Sequence, residues 1–211
     1  FDLANLTLVQ GKSGWIVIDP LTARETAEYA IAFARQHLGN QPVSAVIFTH
    51  SHVDHFGGAL GVLSAEEARE RQVPVIAPSG FMEEATSENL MMGVAMARRA
   101  TYMYGKLLPR SAEGAVDTGL GKAVGFGHMG VLPPTRLISQ PSEEVEVDGV
   151  RFVFHSVPGS EAPAEMTFAL PDLKAFGGAE LLSQTMHNIY TLRGAKVRDS
   201  LRWSGYLQEA L

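Results

Sequence analysis

A short apolar run, Val43–Phe48, leads directly into a segment that contains three of the chain's seven histidines. The run follows Pro42 and is rich in β-branched residues, which predicts a buried strand. Before it, the sequence predicts an amphipathic helix over Ala23–Leu38, with Gly39 as its C-terminal stop, and an earlier strand over Trp15–Asp19. Strand, helix and strand in this order predict a right-handed crossover into a parallel pair, and therefore an α/β fold.

The rest of the 211-residue chain predicts one domain that continues this alternation. Further strands are predicted at Thr7–Gln10, Val73–Ala77, Glu144–Val147, Val150–His155, Thr167–Leu170 and Ala175–Phe176. Helices are predicted at Ala65–Arg71, within Gly80–Tyr104 and at Lys196–Leu207. The glycine- and proline-rich stretch Gly105–Pro134 shows little periodicity, which predicts a long surface excursion.

Composition narrows the possible chemistry. The chain has 17 Lys and Arg against 23 Asp and Glu, a net charge of −6, and no basic block, so we expect no nucleic-acid partner. Its apolar runs are much shorter than the roughly 18 residues that a membrane span needs. The absence of cysteine excludes disulfides, thiolate metal sites and cysteine nucleophiles. Any chemistry must therefore depend on His, Asp, Glu, Ser, Tyr, Lys and Arg.

Four potential metal ligands follow the predicted buried strand closely: His50, His52, Asp54 and His55. They lie where the carboxyl end of a strand meets a loop, which is the usual place for sites in α/β sheets. Imidazole and carboxylate groups suit zinc or another first-row ion. A site without thiolates that leaves room for water is of the catalytic rather than the structural kind.

This segment resembles the His-x-His-x-Asp-His signature of the metallo-β-lactamase superfamily. The resemblance implies an α/β fold that is an αββα sandwich, incomplete at both ends in residues 1–211. It also implies that His50 and His52 bind one zinc ion and that Asp54 and His55 bind a second. Two neighbouring cations lower the pKa of a bridging water. Asp54 would in addition act catalytically, as a base that orients this water.

Later motifs resemble the alkylsulfatase branch of that superfamily. The chain has Pro158-Gly159-Ser160-Glu161 where the superfamily normally has a Pro-Gly-His-Thr turn, and Gly178-Ala179-Glu180 and residues 185–195 follow. Residues 5–21 and 116–121 resemble that branch as well, so the resemblance covers essentially the whole chain. It implies hydrolysis of linear alkyl sulfate esters, such as dodecyl sulfate, to an alcohol and inorganic sulfate. Cleavage of the S–O or of the C–O bond stays open.

The resemblance makes Glu161 a ligand of the first metal and Glu180 the carboxylate that bridges both ions and takes part in catalysis, although the two could exchange roles. Glu165 competes with Glu161 for the ligand position. Glu161 follows the Pro-Gly turn directly, where the superfamily ligand belongs, whereas Glu165 adjoins the next predicted strand. Position therefore favours Glu161 as the ligand.

The same resemblance places the sulfate site on Asn188, Thr191 and Arg193, with Arg198 as a further contact. A guanidinium offers paired donors to a tetrahedral oxyanion, and a net acidic protein needs a local cation beside carboxylate ligands. Arg193 is therefore the predicted sulfate clamp. A surface salt bridge is the alternative role for either arginine.

His187 and the methionines of the predicted helical stretch have less specific interpretations. His187 is placed at the start of a helix and interpreted as a positioning or structural residue rather than a ligand. Met91 and Met92 belong to an apolar stripe, which is more typical of a core than of a channel for an alkyl tail, although thioethers suit both.

Part of the family pattern is not matched by this chain. The second metal of the family has one more histidine, and nothing after Arg198 corresponds to it, which predicts weaker binding of the second zinc ion. Residues 1–211 are expected to be a partial metallo-β-lactamase-like catalytic domain, without the family's earlier strands, dimerisation region and lipid-carrier-like domain. The full-length protein is expected to be a homodimer and, by resemblance, periplasmic or secreted. A second fragment of the same polypeptide is another expected partner.

Two alternative functions stay open at this point. Another hydrolase of the superfamily, acting on lactams, lactones, thioesters or phosphodiesters, would share the metals but not the sulfate site. Glu161 and Glu180 in place of the usual His and Asp argue against it. The unmatched histidine is compatible with a non-catalytic, metal-binding fragment.

Overall fold

Two β-sheets lie face to face in the computed structural model, which describes residues 2–118 and 125–211. The strands of the first sheet, in spatial order, are β1 (Thr7–Gln10), β2 (Trp15–Ile18), β3 (Val43–Ile47), β4 (Val75–Pro78) and β5 (Arg136–Ile138). β1 pairs with β2 antiparallel, and the other neighbours pair parallel. The strands of the second sheet, all antiparallel, are β6 (Ser142–Val147), β7 (Val150–Ser156), β8 (Met166–Leu170) and β9 (Ala175–Gly177).

Helices complete the layers. They are α1 (Arg24–Leu38), α2 (Val53–Phe56), α3 (Ala59–Val62), α4 (Ala65–Glu70), α5 (Phe81–Thr86), α6 (Gly93–Met103) and α7 (Ser200–Ala210). A π-helical turn, Ser87–Met91, joins α5 to α6, and a 3₁₀ turn, Pro171–Leu173, follows β8. Among the described residues, no helix combines the length and the apolar character needed to cross a membrane.

Side chains of β3 and of the residue after it alternate between two cores. Val46 and Phe48 pack with apolar side chains of α1, including Ile31, on the outer side of the first sheet. Ala45 and Ile47 pack in the core between the two sheets. Both faces of this strand are buried, which explains why all its residues except Ser44 are apolar. With α7 lying beside the second sheet, the predicted αββα sandwich is confirmed.

Most predicted elements are present with shifted ends. The helix predicted at Lys196–Leu207 begins only at Ser200. The Asp199 carboxylate accepts hydrogen bonds from the backbone N–H groups of Leu201 and Arg202, at 3.1 and 3.0 Å. This side-chain cap fixes the start of the helix, because the first N–H groups of a helix have no partner within it.

Two local predictions are wrong. No helix begins at His187, because its neighbour Asn188 has a φ of +61° and the segment forms a turn. Met91 and Met92 do not enter the core, since 78% and 48% of their surface is exposed. The helix that follows them, α6, contains no buried residue, so its apolar side chains are at most partly covered by the rest of the described chain.

Asp148 ties the turns of two hairpins together. Asp148-Gly149 forms the predicted turn between β6 and β7, with both residues at positive φ. The Asp148 carboxylate accepts hydrogen bonds from the N–H and the hydroxyl of Ser13, at 3.0 and 2.8 Å, and from the N–H of Gly14 at 3.1 Å. Because Ser13 and Gly14 lie in the turn between β1 and β2, this carboxylate links the two sheets.

Candidate metal centre

The end of β3 delivers the histidine-rich segment to the junction of the two sheets. His50 forms an antiparallel bridge with Glu165, which immediately precedes β8. The N–H of Met166 also donates to the carbonyl of Thr49 at 2.9 Å. These contacts bring the turn that carries Glu161 next to histidines that are distant in the sequence.

Four side chains form a first group of potential ligands: His50, His52, Glu161 and Glu180. Oε2 of Glu161 lies 2.8 Å from Nδ1 of His52 and 3.5 Å from Nε2 of His50. Oε2 of Glu180 lies 3.5 Å from the same nitrogen of His50. The side chains of His50 and Glu161 are fully buried, whereas 31% of the Glu180 side chain is exposed, so the group opens to solvent beside Glu180.

A second group of potential ligands shares Glu180 with the first and adds Asp54 and His55. Nε2 of His55 lies 3.4 Å from Oδ2 of Asp54 and 3.7 Å from Oε2 of Glu180. The structure thus brings together all six residues predicted as metal ligands, and Glu180 contacts both groups, as a bridging carboxylate would. Their roles as ligands stay predictions.

The donor atoms have the properties expected around a cation. Nε2 of His50, Nε2 of His55 and Oε2 of Glu161 are buried and make no hydrogen bond to any described residue. A buried polar atom without a partner costs about 1–3 kcal/mol. Several such atoms converging at carboxylates therefore indicate a site for positive charge, and imidazole with carboxylate fits zinc or another first-row ion.

Asp19 holds two of the histidines in place. Its Oδ2 lies 2.8 Å from Nδ1 of His55 and accepts a hydrogen bond from the Thr49 hydroxyl at 2.7 Å. That hydroxyl lies 2.9 Å from Nδ1 of His50. Metal-binding histidines usually have their second ring nitrogen bonded in this way. Burial by itself lowers the pKa of His55, but the carboxylates of Asp19 and Asp54 raise it well above its ordinary value.

Glu165, the competitor of Glu161 in the sequence, belongs to neither group of potential ligands. It is fully buried, and its Oε2 accepts the Ser160 hydroxyl at 2.7 Å. The pKa of Glu165 is raised, chiefly by burial, whereas that of Glu161 is lowered because His52 and His187 outweigh its burial. The geometry therefore favours Glu161 as the ligand.

The turn after Glu180 places two side chains against the first group. Nδ2 of Asn188 donates to Oε1 of Glu161 at 2.6 Å. Nε2 of His187 lies 3.1 Å from the same oxygen and 3.5 Å from Oε2 of Glu180. These two carboxylates raise the pKa of His187 to about 10, so its imidazole is protonated at neutral pH.

The two arginines predicted to contact sulfate have different environments. Arg193 is half-buried and forms no ion pair with another residue in the described ranges. Burial raises the pKa of Tyr104 above its ordinary value, and the charge of Arg193 only partly offsets this increase. Arg198 is buried, and its Nε donates to the carbonyl of Glu161 at 2.7 Å. Arg193 is therefore the more accessible guanidinium.

Thr191, the remaining predicted sulfate contact, is buried beside α6. Its hydroxyl lies 3.8 Å from Sδ of Met103, within the distance of a hydrogen bond to sulfur. This contact links the predicted sulfate segment, residues 188–193, to α6.

Sequence reasoning did not identify Asp19 or Glu88. A signal for Asp19 was available, because it follows β2 directly and the carboxyl ends of adjacent parallel strands meet at one edge of a sheet. Glu88 had no comparable signal. Only the packing of α5 and the π-helical turn brings its Oε2 to 3.8 Å from Nε2 of His52.

Known proteins similar to this chain include curated alkylsulfatases. A linear primary-alkylsulfatase from Pseudomonas sp. is 48% identical over 211 residues, which is the whole of this chain and 31% of that protein. An alkyl/aryl-sulfatase from Saccharomyces cerevisiae is 43% identical over 209 residues, which is 99% of this chain and 32% of that protein. The chain therefore spans about a third of the length of these relatives.

A solved structure and a family profile agree with this fold. The stereoselective inverting sec-alkylsulfatase Pisa1 from Pseudomonas sp. is 44% identical, with a TM-score of 0.94 over all of this chain and 33% of that one. The sequence profile of the metallo-β-lactamase superfamily matches residues 1–155, well over half of the chain. By its sequence, its two-sheet sandwich and the place of its histidine-rich segment, the chain belongs to the metallo-β-lactamase superfamily.

Proposed function

We propose that this chain is the catalytic core of a metal-dependent alkylsulfatase, which hydrolyses linear alkyl sulfate esters such as dodecyl sulfate to an alcohol and inorganic sulfate. The observation that carries the proposal is the hydrogen bond between Asn188 and Glu161, at 2.6 Å. It joins the predicted sulfate segment to the predicted metal cluster. Identities of 48% and 43% to two alkylsulfatases, across nearly the whole chain, support the same reaction.

Two zinc ions are proposed as cofactors. The residues that would hold them are His50, His52, Glu161 and Glu180 for one ion and Asp54, His55 and Glu180 for the other. When bound, such ions lower the pKa of a water molecule and neutralise charge on an oxyanion. The second group offers fewer side chains than the first, so weaker binding of its ion is expected.

The chain's own side chains would bind the ester and hold protons near it. Arg193 would hold the sulfate group, because its guanidinium offers paired N–H donors to two oxygens. Asp54 would accept a hydrogen bond from the attacking water and orient it. His187 would carry a proton on Nε2 beside Glu161 and Glu180, where it could be donated to the leaving oxygen.

The apolar tail of the substrate would lie along α6. A cavity of about 320 Å³ adjoins the end of this helix and is lined in part by Met103, Leu108 and Val116. Thr191 contacts Met103, so the cavity begins next to the predicted sulfate segment. Met91 and Met92 are exposed near the start of α6, and flexible thioethers suit an alkyl chain without a fixed shape.

Release of inorganic sulfate tests the proposed function. The purified, zinc-loaded protein is incubated with octyl and dodecyl sulfate below their micelle concentrations, with and without a chelator. We expect sulfate release that the chelator abolishes. A β-lactam, a lactone, a thioester and a phosphodiester are tested in parallel. Turnover of one of these without sulfate release would favour another hydrolase of the superfamily. Zinc binding without any turnover would favour a non-catalytic fragment.

The assembly of the full-length protein is a separate proposal, supported only by the resemblance. We infer a homodimer, with a further histidine for the second ion supplied from outside residues 1–211. Light scattering of the full-length protein tests for the homodimer. Comparing the zinc stoichiometry of the full-length protein with that of residues 1–211 tests for the further histidine.

A further inference from the structure

His52 presents one ring nitrogen to the cluster and the other away from it. Its Nδ1 lies 2.8 Å from Oε2 of Glu161. Its Nε2 accepts a hydrogen bond from Nη2 of Arg198 at 3.1 Å and lies 3.8 Å from Oε2 of Glu88. The two neighbours of Nε2 are opposite in kind, because a guanidinium only donates hydrogen bonds and a carboxylate only accepts them.

One neighbour of Nε2, Arg198, is held in place by hydrogen bonds, and the other, Glu88, has a carboxylate oxygen without a hydrogen bond. Arg198 is buried, and besides Glu161 it donates to the carbonyl of Lys196. Its Nη2 lies 3.7 Å from Oε1 of Glu88. That oxygen is buried and makes no hydrogen bond to any residue of the described ranges, and only 13% of the Glu88 side chain is exposed. Glu88 therefore has an unused acceptor, Oε1, near Arg198, and its other oxygen, Oε2, is the one near Nε2 of His52.

The local sequence explains why Glu88 points inward. Phe81 and Ala85 are the buried residues of α5, and Glu88 follows Phe81 by seven residues, on the same face of the helical path. The π-helical turn Ser87–Met91 carries Glu88, and such turns occur frequently at functional sites.

We propose that Glu88 is a positioning residue that selects the tautomer of His52. With its hydrogen on Nδ1, the ring has a lone pair on Nε2, and Arg198 is the matching donor. With its hydrogen on Nε2, the lone pair of Nδ1 is free for the cluster, and Nε2–H needs an acceptor. Of the two neighbours, only Glu88 provides one. The exchange removes a proton from Nδ1 and adds one to Nε2, so the charge of the ring does not change.

The same pattern holds at the other two histidines of the cluster. Nδ1 of His55 is bonded to Asp19, and Nδ1 of His50 lies beside the Thr49 hydroxyl. In this proposal, Glu88 accepts a hydrogen bond from the ring nitrogen of His52 that points away from the cluster, and so takes the place that Asp19 has at His55 and Thr49 at His50. The inference rests on the metal centre of the proposed function but not on the identity of the substrate.

Zinc affinity of three variants tests the role of Glu88. The variants are Glu88→Ala, Glu88→Gln and, as a matched control, Glu83→Ala, which changes an exposed glutamate of the preceding helix α5. Affinity is measured on purified protein by competition with a chromophoric chelator. We expect Glu88→Ala to bind zinc about 10–100-fold more weakly. Glu88→Gln keeps an amide oxygen that accepts Nε2–H, so it should lose less. The control should bind as the unchanged protein does.

Two further measurements separate positioning from a merely structural role. Nitrogen-15 NMR of the His52 ring should show hydrogen on Nε2 with zinc and on Nδ1 without it. Melting temperatures without zinc show whether Glu88→Ala stays folded, because loss of Glu88 also removes the carboxylate beside Arg198. Unchanged zinc affinity of Glu88→Ala, or hydrogen on Nδ1 in the zinc-loaded protein, would overturn the proposal. Absence of zinc binding by the unchanged protein would contradict the metal centre as well, whereas absence of sulfate release alone would contradict only the alkylsulfatase activity.

Discussion

Oε2 of Glu165 accepts a hydrogen bond from the backbone N–H of Glu161 at 2.9 Å. The same oxygen accepts the Ser160 hydroxyl and the N–H of Ala162, at 2.7 and 3.0 Å. Glu165 therefore fixes the turn that presents Glu161 to the histidines. The two glutamates that compete in the sequence have different roles in the structure.

Replacing each of these glutamates should separate metal binding from stability. Glu161→Gln is expected to lower zinc affinity by more than about 100-fold, since loss of a partner outside the ligand set already costs about 10–100-fold. Glu165→Ala is expected to lower the free energy of unfolding by about 3 kcal/mol or more, because each buried donor without an acceptor costs about 1–3 kcal/mol. Chelator competition and urea unfolding of both variants measure the two effects. A larger loss of zinc affinity in Glu165→Ala than in Glu161→Gln would reverse the assignment.

Arg193 should contribute to substrate binding and not to metal binding. Arg193→Ala is expected to raise KM for an alkyl sulfate about 10–100-fold, because hydrogen bonds to a charged group contribute about 1.5–3 kcal/mol. Zinc content should stay unchanged. Steady-state kinetics with elemental analysis check both, and Arg202→Ala, which changes an exposed arginine of α7, is the control. An unchanged KM would remove Arg193 from the sulfate site.

His187 should affect turnover more than binding. Its Nε2 lies 3.1 Å from Oε1 of Glu161 and 3.5 Å from Oε2 of Glu180, and these carboxylates raise its pKa above its ordinary value. His187→Gln removes this proton donor, so we expect kcat to fall about 100-fold, the lower range for general acid catalysis. His128→Gln, which changes an exposed histidine paired with Glu25, is the control. Equal kcat values for the two variants would exclude His187 from proton transfer.

Asp148 should contribute stability that depends on pH. Partial burial alone raises the pKa of Asp148, but the Ser44 hydroxyl and hydrogen bonds from Ser13 and Gly14 lower it below its ordinary value of 3.8. Since the folded pKa is lower than the unfolded one, this stability is fully present above the unfolded pKa and is lost as pH falls through the folded pKa. Asp148→Asn keeps a residue type that tolerates positive φ and is expected to cost about 1 kcal/mol at neutral pH.

Urea unfolding at neutral pH and at a pH near 3 measures this contribution. The difference in unfolding free energy between Asp148→Asn and the unchanged protein should shrink at the acidic pH. Glu146→Gln, which changes an exposed glutamate of β6, should show no such difference at either pH. A difference for Asp148→Asn that is constant across this range would show that the charge of Asp148 is not involved.

Features that depend on neighbouring residues can be predicted from the sequence alone. Val43–Phe48 is apolar except for Ser44 because both faces of β3 are buried, and His50 and His52 follow it at a strand end, where sites form. The turn Asp148-Gly149 is predicted from two residues that accept positive φ. These are local consequences of strand period, turn chemistry and ligand type.

The distant side chains that complete the site are set by tertiary contacts. Glu161 and Glu165 are alike in sequence, and the bridge between His50 and Glu165 makes one a potential ligand and the other the support of its turn. Arg198 is buried against His52, whereas Arg193 stays accessible. Such contacts arise where two sheets and a π-helical turn meet, and no local pattern encodes the distance between residues that far apart in the chain.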